Sequence, residues 1–174
     1  MVSSAINQIF TIHIAMTQFK IVPLSGEYAS KIRETKIDDF GHEVIEQLAR
    51  GLGPCRVSLK PFVPGKDTRL LFSHSPFAID NAYNQPGPVF IHKKEVEAYN
   101  DIYRFPPEIK ADRKSFPLSL IGYSKEQLMV FTRLVNDDDV DILIPGIFEK
   151  HPDIEYLHAR NAAAGCFICK IERR

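Results

Sequence analysis

The sequence predicts an α+β fold: one mostly antiparallel sheet, with helices near the N-terminus and one before the last two strands. Three observations carry that expectation. Apolar runs of strand length recur from Phe19 to Ile171, bounded by turn residues. Helix-forming composition is concentrated early in the chain and returns once near its end. Twelve prolines and no tryptophan among 174 residues favour many turns and short elements over a long bundle.

The elements follow in order. Residues 1–17 read as an addition to a single α+β domain spanning 18–174. Ile9 to Ile14 alternates as an edge strand does, and a disordered extension fits equally well. Phe19–Leu24 is a first core strand, and Glu27–Ile37 is rich in helix formers. His42–Arg50 carries Val44, Ile45 and Leu48 at helical spacing and stops at Gly51, which predicts a second helix. Glycines and prolines then separate three short apolar pieces, Arg56–Leu59, Arg69–Ser73 and Val89–His92. The stretch Ser75–Pro88 is a long loop of the length that often serves function. A short helix over Lys94–Tyr103 is expected to end before Pro106-Pro107, and Leu118–Tyr123 with Gln127–Val135 forms a hairpin. Asn136 or Asp137 caps a helix from Asp139 to about Lys150, which Pro145-Gly146 should break or kink. Two strands, Ile154–Ala159 and Cys166–Ile171, close the chain around the turn Asn161–Gly165.

Composition narrows the function classes. Apolar residues make up 44% and charged residues 25%, as in ordinary globular domains. Lys+Arg and Asp+Glu balance at 22 each, so no global field draws nucleic acid or an anionic membrane, although a local basic pocket fits. Three cysteines, Cys55, Cys166 and Cys169, make an odd count that argues against a complete disulfide framework. There is no Asn-x-Ser/Thr sequon, no basic leader, and no apolar run near the ~20 residues of a spanning helix. The expectation is a cytoplasmic, reduced protein with no cofactor; its oligomeric state is open.

The most informative stretch is Tyr156 to Ile171, where His158, Arg160, Asn161, Cys166 and Cys169 sit in strand-forming sequence. Polar groups there cost desolvation energy unless something pairs with them, so the segment marks a buried network or a site. Strand alternation points His158 and Arg160 to the same side, and two adjacent donors suit a carboxylate or phosphate. The plainer reading is a structural arginine on an internal acid. Cys166-Phe-Ile-Cys169 lacks a zinc or redox setting, because strand positions i and i+3 diverge and no second Cys-x-x-Cys exists. Cys55 beside Arg56 in a turn is the better candidate for a reactive thiol, with a buried small residue as the alternative. His74 and His92 end two expected strands, and with His158 they form a weak metal-site candidate. Gly51-Leu-Gly53, His42-Glu-Val-Ile-Glu46 and the Asp137, Asp139, Asp141 run each miss a required residue of the dinucleotide, zinc-protease and calcium motifs. The acidic run instead suits a helix N-terminus.

Pro54-Cys55-Arg56, Pro76-Phe77, Pro86-Gly-Pro-Val-Phe-Ile-His92 and His158-Ala-Arg-Asn161…Gly165-Cys166-Phe occur in an order that resembles the bacterial family called domain of unknown function 1203. The resemblance runs from about Phe19 to Ile171, and its last motif is the most specific. Members often carry a second cysteine shortly after the Cys-Arg turn, where this chain has Ser58; that weakens a metal or disulfide role for the turn. The resemblance implies a small single-domain bacterial protein and supplies no activity.

The leading expectation is a domain that binds a small anionic ligand. Arg56 and Arg160 would hold the charge, Asn161 and Cys166 would line the pocket, and His92 and His158 would exchange protons under the loop 75–88. If the protein is an enzyme, Cys55 is the nucleophile and His158 or His92 the base. The alternatives are a non-catalytic interaction protein whose polar residues organise the core, and a metal-binding protein using the scattered histidines.

Overall fold

The computed structural model describes residues 18–174; the expected N-terminal extension or edge strand lies outside them. Eleven elements follow one another among the described residues: β1 (Phe19–Val22), α1 (Gly26–Thr35), β2 (Ile45–Leu48), β3 (Thr68–His74), β4 (Gly87–His92), α2 (Pro107–Ala111), β5 (Leu118–Tyr123), β6 (Met129–Val135), α3 (Val140–Lys150), β7 (Tyr156–Asn161) and β8 (Phe167–Arg173). The class is α+β, as the patterning predicts. The strands divide into two antiparallel sheets rather than one, in the orders β1-β8-β7-β5-β6 and β2-β3-β4.

Each sheet buries one face on its own core. Phe19, Ile21, Leu118, Leu120, Leu157, Ala159, Cys169 and Ile171 of the five-stranded sheet pack against Val140, Ile144, Ile147 and Phe148 of α3. The three-stranded sheet places Leu70, Phe72, Val89 and Ile91 against Ala29 and Ile32 of α1, together with Cys55, Val57 and Phe62. Alternation of side chains along strands explains both sets, since every second residue enters the core. The helix caps are equally local. Ser25 accepts from the Tyr28 N–H at the start of α1, and Asp139 accepts from the Asp141 N–H at the start of α3.

Several expected elements differ. His42–Arg50 is not a helix: Ile45–Leu48 pairs antiparallel with Thr68–Leu71. Ile45 and Leu48 are 55% and 52% exposed, so no core rewards a helical face there, whereas pairing completes the ladder of β3. The turn leading into this strand is organised by buried Asp38, which accepts from the N–H groups of Phe40, His42 and Ser73. Burial would raise its carboxyl pKa, but those backbone donors hold it below the usual value. Arg56–Leu59 is a turn rather than a strand piece, with Leu59 at φ 53° and its N–H donating to the Cys55 carbonyl. Lys94–Tyr103 forms no helix either. It runs irregularly because its backbone serves other segments, the Tyr99 N–H donating to Val57 and the Ile102 carbonyl accepting from Ile21. The helix begins later, with Pro107 in its first turn, where a missing N–H costs nothing. Finally, α3 continues through Pro145 to Lys150, its buried proline absorbed into the helix–sheet contact.

The acidic run before α3 is a cap and an ion cluster. Lys110 sits 2.6 Å from both Asp139 and Asp141, and Asp141 also accepts from the Phe105 N–H. No helix among the described residues is long and apolar enough to cross a membrane.

Candidate functional site

The face of the five-stranded sheet opposite α3 carries the unusual chemistry. β5 and β7 pair without interruption, Tyr123 opposite Tyr156 and Ile121 opposite His158, so Tyr156, His158 and Arg160 project to one side. The His158 ring lies 4.7 Å from Tyr123, and 5.1 Å from each of Tyr156, Phe167 and Phe77. Phe77 arrives from the loop between β3 and β4 and meets both Tyr123 and His158 edge-on. The imidazole is completely buried, and neither of its nitrogens has a hydrogen-bond partner among the described residues. Burial, reinforced by the nearby positive charges of Arg160 and Lys170, pushes its pKa down to about 2. His158 is therefore a neutral ring walled by four aromatics, with one donor and one acceptor unused.

His74 stands beside this box, 5.8 Å from Phe167 and 5.5 Å from Tyr28. Burial lowers its pKa to about 4 despite the favourable charge of Asp39. A cleft of about 260 Å³, lined by Val22, Pro23, His74, Phe77, Phe167 and Lys170 among others, opens at the edge of the box.

Two guanidinium groups bracket Cys166. Arg160 donates to the Gly165 carbonyl at 3.1 Å, and Arg56 donates through Nε to the Phe167 carbonyl at 2.6 Å. Arg56 also donates to the Pro54 carbonyl. Neither arginine belongs to an ion pair among the described residues. Arg160 keeps a buried Nε without a partner and lies beside the Tyr123 hydroxyl, where its charge opposes the burial that raises the tyrosine pKa. Burial lowers the Arg56 pKa to about 10, and the sulfurs of Cys166, Cys55 and Cys169 partly restore it. Arg56 thus lies within electrostatic reach of all three cysteines of the chain, although they come from two distant segments.

The expected site residues sort into groups. His158, Arg160, Arg56 and Cys166 converge on the β7–β8 hairpin. Asn161 is there as well, but its side-chain oxygen accepts from the Ala163 and Ala164 N–H groups and shapes the turn. Cys55 and Cys169 are completely buried, and burial pushes the Cys169 thiol up to about 12; Cys166 alone of the three is partly exposed. Cys55 therefore does not share a cavity with His92 and Arg160. His92 lies apart, its ring 4.5 Å from Phe62, in a groove of about 700 Å³ bordered by Ser58, Lys94, Tyr99 and Asp101. No cluster of three or more potential metal ligands exists among the described residues, so His74, His92 and His158 do not converge as the metal reading requires.

Sequence reasoning missed Phe77, Tyr123, Tyr156 and Phe167 as walls of the site. The signal was available for Tyr156, since Tyr156-x-His158-x-Arg160 alternates with Leu157 and Ala159, whereas Phe167 is placed by the pairing of β7 with β8. The contributions of Tyr123 and Phe77 depend on strand pairing and loop path.

Comparison with curated proteins and with solved structures gives no match. The family model described as a protein of unknown function (DUF1203) matches residues 53–173. That span holds the Arg56 turn, the Phe77 loop and both strands of the hairpin that carries His158, Arg160 and Cys166, and over this greater part of its length the chain belongs to the DUF1203 family.

Proposed function

We propose that the β7–β8 hairpin binds a small anion, a carboxylate or phosphate, with Arg160 as the gripping group. One observation carries the reading: in a chain of zero net formal charge, two arginines flank Cys166 without a carboxylate partner among the described residues. A guanidinium held by one carbonyl, with the Tyr123 hydroxyl beside it, retains donors in a fork that matches an oxyanion. Arg56 is buried and donates to the carbonyls of Phe167 and Pro54; it contributes field and holds the backbone around Cys166. Lys170 adds a second cation nearby, tempered by Glu172 at 2.9 Å. Within this reading the reachable thiol is Cys166, partly exposed between the two guanidinium groups. His158, kept neutral, offers hydrogen bonds rather than charge.

Calorimetric titration of the full chain with inorganic phosphate and with simple carboxylates tests the proposal. Arg160→Ala should weaken binding at least about tenfold while leaving the thermal transition nearly unchanged, and Arg160→Lys should restore part of the affinity. Equal affinity in wild type and Arg160→Ala would sink it.

A second reading is favoured at one place. Arg56 accepts structural duty between the sheets: its N–H donates to Phe90 in β4, its carbonyl accepts from Leu24, and its side chain holds Phe167 in β8. For Arg56, Cys55 and Cys169, organisation of the core is sufficient. Arg160 and Cys166 are not explained that way.

A further inference from the structure

We propose that the aromatic box around His158 is the slot for the ring of a hydroxylated aromatic carboxylate, and that Phe77 is a removable plug occupying it. This deepens the anion reading and rests on it, because Arg160 supplies the grip on the carboxylate.

The argument starts from the two nitrogens of His158. A completely buried imidazole with no partner for either nitrogen among the described residues is rare, and each such group calls for a physical reason. The surrounding rings provide no hydrogen bonds; they provide flat apolar walls at 4.7 to 5.1 Å. A phenolic hydroxyl both donates and accepts, and so complements a neutral imidazole. Arg160 follows two positions later on the same face of β7, roughly 7 Å along the strand. It too has an unpartnered buried nitrogen. A substituted benzene ring spans such a separation, hydroxyl toward the imidazole and carboxylate toward the guanidinium.

Phe77 is the wall that differs from the others. Tyr123, Tyr156 and Phe167 stand on sheet strands, whereas Phe77 belongs to an irregular loop. That loop is tied across to the β5–β6 turn by two hydrogen bonds, both to Gln127: the Ala78 N–H to its side-chain oxygen at 3.0 Å, and the Asn81 amide to its carbonyl at 3.2 Å. The cleft of about 260 Å³ meets the box on the Phe77 side, so movement of this one ring joins cleft and box. Phe77 itself, edge-on to Tyr123 and His158, shows that a six-membered ring fits.

The experiment titrates the full chain and its Phe77→Ala variant with 4-hydroxybenzoate, benzoate and inorganic phosphate, following calorimetry and the imidazole 15N resonances of His158. The expected result is that 4-hydroxybenzoate binds more tightly than benzoate and shifts both His158 nitrogens. Its affinity should rise about tenfold or more in Phe77→Ala, because the plug need no longer be displaced. Phosphate should bind both proteins equally without moving His158. If phosphate binds but 4-hydroxybenzoate neither gains from Phe77→Ala nor touches His158, the slot is overturned and the anion site stands. If no anion binds, both fall. Should Phe77→Ala prove unfolded, Phe77→Leu provides the smaller ring-free side chain, with a smaller gain expected.

Discussion

Acid should weaken this protein well above the range where carboxylates titrate, and His158 should be one of two main causes. Its imidazole is held neutral, with a pKa of about 2 against an ordinary value of 6.5. Between those values the unfolded chain binds a proton that the native chain refuses. Stability is therefore complete above pH 6.5 and is lost as pH falls through that point. Between pH 7 and pH 5 a histidine kept neutral in the native state costs about 2 kcal/mol. His74, lowered by burial to about 4, adds nearly as much over the same interval. Together they predict a loss of about 4 kcal/mol, a large part of the stability of an ordinary domain. The informative variant is His158→Phe, which keeps a ring in the box and removes the titration. At pH 7 its effect has mixed sign: two unpartnered nitrogens disappear, while a larger ring presses on close walls. The pH slope has no such ambiguity and should fall by the share of His158, while His74 and His92, both lowered by burial, keep theirs in both proteins. Urea unfolding midpoints between pH 5 and pH 8 at fixed ionic strength measure it. The lowered carboxylates of Asp38 and Asp39 act at lower pH and equally in both proteins. Identical slopes in wild type and His158→Phe would show that His158 is not a buried neutral group, and the box around it would lose its basis.

Three further outcomes follow from the same packing. A small thiol reagent should modify Cys166 in the folded protein and reach Cys55 and Cys169 only on unfolding, because those two are completely buried; peptide mass spectrometry reads the site, and early labelling of Cys55 would contradict the packing. Arg56→Met should lower unfolding free energy by on the order of 2–5 kcal/mol, since it leaves the carbonyls of Pro54 and Phe167 without their donor, and a loss below about 1 kcal/mol in denaturant titration would refute the stapling role. Gly122→Ala should destabilise by roughly 1–3 kcal/mol, because a Cβ there would stand 2.9 Å from both Ile154 Cδ1 and Phe131 Cβ; an unchanged melting temperature would show that β5 and β6 yield more easily than their packing implies.

The parts legible in the sequence were those fixed by local chemistry. The closing hairpin could be read from alternation, α1 from its composition and α3 from its acidic start, because period and capping are properties of neighbouring residues. His42–Arg50 misled because Val44, Ile45 and Leu48 satisfy helical spacing, and only the open edge of β3, more than twenty residues later, decides for a strand. Lys94–Tyr103 failed for a related reason: its backbone is claimed by Ile21 and Val57, partners that no local pattern announces. In the site, parity along β7 was enough to place His158 with Arg160. Locating Cys55 was a different matter. A thiol next to an arginine reads as activated, yet the tertiary fold turns that pair inward and offers the arginine instead to the hairpin carrying Cys166.

That exchange separates the two arginines by role. Arg56 lies in the seam between the sheets, and a cation stripped of water there must recover its hydration from the protein or shed its charge. It does so with the carbonyls of Pro54 and Phe167, and at 3% exposure it is buried too deeply to meet a ligand. Arg160 has one carbonyl, the Tyr123 hydroxyl beside it, one nitrogen unpartnered among the described residues, and partial exposure. A guanidinium in that condition is still short of acceptors. Nothing acidic among the described residues is placed to supply them, so a ligand oxyanion is the group that would complete its coordination, and Arg160 rather than Arg56 is the position at which a loss of binding should appear without a loss of fold.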